Sequence, residues 1–125
     1  QFEAADDAFE AALAVDPKNR AAYIGMARVA MQQGLNGQAI KLSKKALELE
    51  PTDRDALQVQ GEAMVAQSAL ARAREVLAKL EALCKGSCPQ ATALKAAITK
   101  GPPPVKTAAT APVAVPNDKN NPAKK

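Results

Sequence analysis

The stretch Arg20–Asp53, RAAYIGMARVAMQQGLNGQAIKLSKKALELEPTD, decides the fold. Within it Tyr23, Met26, Ala27 and Ala30 recur at helical spacing up to Gly34, and Ala39, Leu42, Ala46 and Leu49 make a second stripe. The pattern predicts a helix over Arg20 to Gln33, a stop at Gly34 and a second helix over Gln38 to Leu49. Pro51 forbids continuation of that second helix, because it has no N–H to donate and its ring clashes with the preceding turn.

Shifting the chain by 34 residues carries this stretch onto its neighbours. Ala5 falls on Ala39 and Ala73, Ala12 on Ala46, Leu13 on Leu47, and Pro17 on Pro51. Likewise Arg20 falls on Arg54, Ala22 on Ala56, Gln33 on Gln67, and Val15 on Leu49 and Leu83. A fixed period marks stacked supersecondary units. Small residues recur with it: Ala27 and Gly61 mid-helix, and Ala39 and Ala73 early in the second helices, where close approach of helix backbones is expected. Glycine inside a helix costs about 1 kcal/mol relative to alanine, so Gly61 requires a packing reason.

These residues resemble the tetratricopeptide repeat family, through Tyr23, Ala27, Ala39, Ala46 and Pro51, and through Phe2, Ala5, Phe9, Ala12 and Pro17 before them. A third unit keeps Leu57, Gly61, Ala73 and Leu77 but has Leu80 for the last small residue and Lys85 for the proline, as expected of a terminal unit. The resemblance covers residues 1–99 and implies an all-α helical-hairpin solenoid. Its parts are expected to be the second helix of a truncated repeat (1–19), two units (20–53 and 54–87), a capping helix (88–100) and a disordered tail (101–125). Gln1 and Phe2 fall where a second helix should start. The stripe Phe2, Ala5, Phe9 and Ala12 is therefore expected to be partly uncovered and open to association, because a repeat cannot bury its apolar face alone.

Composition narrows the function. The 125 residues carry 17 Lys+Arg against 13 Asp+Glu, but only two Phe, one Tyr, and no Trp or His. Residues 1–100 are nearly neutral and the surplus charge lies in the tail, so the clustered cations and stacking aromatics of a nucleic-acid binder are missing. Lacking His, the chain excludes His-based triads and the usual zinc sites, and no cofactor motif occurs. Asp6, Asp7 and Glu10 form an acidic helix face, with Ile40, Lys41 and Lys44 at the equivalent places in the next unit. Such a run is ordinarily solvated, so no catalytic residue is assigned. No apolar run approaches the ~20 residues of a membrane span. No signal peptide is visible and the first residue is not Met, as expected of a processed or truncated product.

The family resemblance implies noncatalytic binding of a peptide or partner helix along the first helices of successive units, as an adaptor or assembly factor. On this chain that face is Ile24, Arg28, Met31 and Gln32, followed by Gln58, Glu62 and Val65. The Lys and Asn clamp that grips acidic chaperone tails is absent, since Ile24, Arg28, Gln58 and Glu62 stand at its places. A structural segment of a larger solenoid, with no ligand of its own, is the alternative.

Cys84 and Cys88 flank the turn Lys85-Gly86-Ser87, which Gly86 allows to bend, before a short helix from Pro89 to Thr99. Residues four apart on a helix lie about 6 Å apart, so a disulfide is geometrically feasible and would add roughly 2 kcal/mol by chain entropy. Three readings stay open: a structural bridge in an oxidising compartment, two cytosolic thiols, or a redox-active pair in a thiol-redox accessory protein. The segment is similar to the Cys-containing end of small periplasmic tetratricopeptide proteins of bacteria, which implies a periplasmic location, with the cytoplasm as alternative. From Gly101 six prolines alternate with Ala, Thr, Val and Lys without period, a composition expected to stay disordered.

Overall fold

The structure is a computed structural model that describes residues 2–103. Expectations for Gln1 and for the tail beyond Pro103 lie outside the described residues. Six helices follow one another: α1 Phe2–Val15, α2 Arg20–Gln32, α3 Asn36–Leu49, α4 Arg54–Ala66, α5 Leu70–Cys84 and α6 Pro89–Lys100. There is no strand among the described residues.

The first helices of the units are capped and the second are not. Asn19 accepts the Ala22 N–H at 3.1 Å and Asp53 accepts that of Ala56 at 3.0 Å, each satisfying an amide that the first turn leaves free. No side chain caps α3 or α5, because the preceding helix runs into them through a tight turn. Gly34 at φ 79° closes that turn with Leu35 N–H donating to Ala30 C=O at 2.8 Å, and Ser68 at φ 64° repeats it with Ala69 donating to Met64 at 2.8 Å. α3 begins at Asn36, two residues before the expected Gln38, because neither Asn36 nor Gly37 carries the apolar signal that first appears at Ala39.

α2 pairs with α3 and α4 with α5; α4 rests on α3 and α2, α6 on α4 and α5, and α1 on α2. Alanines 27, 39, 46, 56, 63 and 73 are fully buried where these helices meet. Two core clusters result. Ile24, Ala27, Ala30, Ala39, Ala46, Ala56, Val59 and Ala63 form the first, and Leu57, Met64, Val65, Val76, Leu80, Ala91 and Leu94 form much of the second. Half-buried Ile40 and Leu47 of α3 pack against both. Ser43, the buried polar residue of α3, donates to the Ile40 carbonyl at 2.9 Å.

The space at Gly61 is used differently from the expectation. A Cβ there would lie 2.6 Å from Leu94 Cδ2, so the glycine admits a fully buried leucine side chain of α6 rather than a helix backbone. Gly25 does the same for α1, receiving the Phe9 ring. No residue of α1 is buried, and Phe2 is 40% exposed.

Candidate protein-binding surface

The amino-terminal ends of α2, α4 and α6 are stitched together in sequence. Arg20 Nη1 lies 2.6 Å from Asp53 Oδ2, so Asp53 both caps α4 and holds α2. Asp55 Oδ1 accepts from Gln90 Nε2 of α6 at 3.0 Å, and Arg54 Nη2 donates to the Leu83 carbonyl of α5 at 3.4 Å. These bonds fix the relative axial position of helices whose faces make the candidate surface.

Two hollows open along α2 and α4. The first, about 470 Å3, lies at their amino-terminal ends, edged by Lys18, Arg20, Ile24, Arg28, Asp53 and Asp55. The second, about 710 Å3, lies at their carboxyl-terminal ends, edged by Met31, Gln32, Glu62, Val65 and Ala66, with Ala97 and Lys100 of α6 and Pro103 closing it. Ile24, Arg28 and Met31 share one stripe of α2, and Asp55, Glu62 and Ala66 one stripe of α4, so both hollows belong to one face.

Of the residues expected on that face, Arg28 and Gln32 are exposed and Met31 is half-buried. Gln58 and Glu62 are half-buried and joined, Gln58 Nε2 donating to Glu62 Oε2 at 3.0 Å. Ile24 and Val65 do not present free surface. They are 8% and 3% exposed, Ile24 packed into the first cluster and Val65 covered where α6 crosses the end of α4. Reasoning from the phase of the first helices missed Lys18, Ala97 and Lys100, which come from a loop and from α6.

Electrically the two ends differ. Arg20–Asp53 is the one ion pair among the described residues, so Lys18 and Arg28 face the first hollow with no carboxylate within 4.0 Å. At the second hollow Glu62 and Lys100 offset one another. Among the described residues no group of three His, Cys, Asp or Glu is placed to hold a metal, and no helix is long and apolar enough to cross a membrane.

Cys84 ends α5 and Cys88 precedes α6, with Cα atoms 5.7 Å apart and their sulfurs within bonding reach of each other. Lys85 at φ 54° and Gly86 at φ 117° turn the chain, and the Gly86 N–H donates to the Glu81 carbonyl at 2.9 Å. Both bends are needed, whereas the sequence pointed to Gly86 alone.

No curated protein matches the chain. Residues 1–42, spanning α1, α2 and the first half of α3, match the family model described as tetratricopeptide repeat. These residues are thus similar to a tetratricopeptide repeat, and the described residues as a whole form an all-α, tetratricopeptide-like helical-hairpin solenoid.

Proposed function

We propose that this protein is a noncatalytic adaptor or assembly factor that holds a peptide or partner helix on the α2/α4 face. The family is one of protein-interaction modules, which supports binding of a protein partner. The observation that carries the finer reading is the pair of hollows set end to end on that face. Met31 offers an adaptable contact and exposed Arg28 a fork for a carboxylate. The test is a pull-down from the native cell with the full chain, its Arg28→Glu variant and its Met31→Ala variant. Selective loss of partners supports the adaptor; an unchanged set of partners returns the protein to a passive segment of a larger solenoid.

The work is assigned to an oxidising compartment such as a bacterial periplasm, on the support of the adjacent Cys84 and Cys88. Intact mass of native protein after thiol alkylation tests this: a mass two protons low and blocked to alkylation agrees, and two alkylated thiols move the protein to the cytosol. The same pair supports a second reading, a thiol-redox accessory protein. That reading requires a reduction potential well above that of stable structural bridges and loss of activity in Cys84→Ser.

A further inference from the structure

Where α6 ends, the chain is bent by Gly101, whose φ of 83° and ψ of 178° lie in a region open essentially to glycine alone. The Gly101 N–H still donates to the Ala97 carbonyl at 2.9 Å, so the helix is closed before the backbone turns away. A Cβ built at Gly101 would meet nothing within 4 Å, so glycine is needed there for direction and not for space. That direction has a visible result two residues on. Pro103 stands at the edge of the second hollow, whose lining it shares with Met31, Gln33, Gly34 and Asn36.

The next residues are Pro104 and Val105. Proline fixes its own φ and bars the residue before it from the helical region, so consecutive prolines favour the stiff polyproline form, which advances about 3.1 Å per residue. Val105 therefore follows Pro103 by about 6 Å of backbone, and it is the first branched aliphatic side chain after the bend. The hollow it is led to has about 710 Å3 of space, with half-buried apolar walls at Met31, Ala66 and Ala97.

We infer that the chain's own segment beginning at Pro104 fills the second hollow, with Val105 seated between Met31 and Ala97, and that a partner reaches this end of the face only by displacing it. Burial of the valine supplies the attraction. Because the segment is joined to the rim of the hollow, it competes at an effective concentration in the millimolar range. Screening a partner presupposes the interaction reading, whereas filling the hollow does not.

Methyl NMR of the methionines in the full chain tests this, because Met31 lines the hollow and Met64 lies in the second core cluster. Val105→Asp puts a charge where the aliphatic group sits, and Gly101→Ala denies the chain its bend. Both variants are expected to move the Met31 methyl signal in the same direction and to leave that of Met64 in place, which reports that α6 stays seated. A Met31 signal indifferent to either variant overturns the inference. A Met31 signal of the unaltered chain that moves on dilution gives the hollow to the tail of a second copy and overturns it as well. In the native-cell pull-down both variants are expected to retain more of each partner than the unaltered chain. Equal retention overturns the screening and leaves the adaptor standing, while no partner with any of the three chains sinks the interaction reading, and the screening with it, whatever Met31 shows.

Discussion

Gly61 and Leu94 form a pair in which one residue's missing side chain is the other's seat. Placing a methyl group 2.6 Å from Leu94 Cδ2 overpacks a closed site by about 1–3 kcal/mol, against a helix-propensity gain of about 1 kcal/mol. Gly61→Ala is therefore expected to destabilise the protein, and Leu94→Ala alone to cost about 2–5 kcal/mol. Combined, they should cost less than their sum, read by urea unfolding of the two single variants and the double. Glu50 offers a second prediction at this scale. The Thr52 hydroxyl at 2.6 Å and amide at 3.3 Å both donate to Glu50 Oε2 and hold its carboxyl below the ordinary range. A carboxyl depressed by folding contributes stability above its ordinary pKa and loses it as pH falls through the folded value. In an NMR titration Thr52→Ala should raise the Glu50 midpoint partway, because the amide bond remains.

At the scale of the helix, Asp53 does two jobs and its variants separate them. Asp53→Asn keeps a capping oxygen and gives up the charge that holds Arg20, whose side chain is 43% exposed, so the loss should stay within about 1 kcal/mol. Asp53→Ala also removes the cap and should cost about 1 kcal/mol more, measured as a lower urea midpoint. Helix existence and pairing were legible in the sequence because they depend on local spacing: apolar and small residues recurring with the helical period, broken by Gly34 and Pro51. The candidate surface was legible only in part. Helical phase put Arg28, Met31 and Gln32 on the α2 face, where the first and last are exposed and Met31 is half-buried, but whether a residue of that stripe stays open depends on what lies across it. Val65 is closed because α6 leans over α4, and α6 then supplies Ala97 and Lys100 as a wall. Such a distance across the stack leaves no trace in the periodicity of a single helix. Ser68 is a smaller case, since its left-handed backbone takes the place that Gly34 fills one repeat earlier.

Across the whole molecule burial is uneven. α4 contributes seven buried residues and lies between α3 and α6, whereas α1 contributes none and touches α2 alone. In a stack where each unit contacts only its neighbours, local opening follows local burial. Amide hydrogen exchange should therefore be fastest in α1 and slowest in the middle of α4, and equal protection in the two would contradict this packing. The two core clusters add a further consequence, because α4 supplies buried residues to both and, across from it on α3, Ile40 and Leu47 touch both. Those two half-buried side chains act as the clutch between the halves of the protein. With Ile40→Ala and Leu47→Ala together, calorimetry should show the single melting step of the intact chain dividing into two, the α4–α6 half outlasting the other.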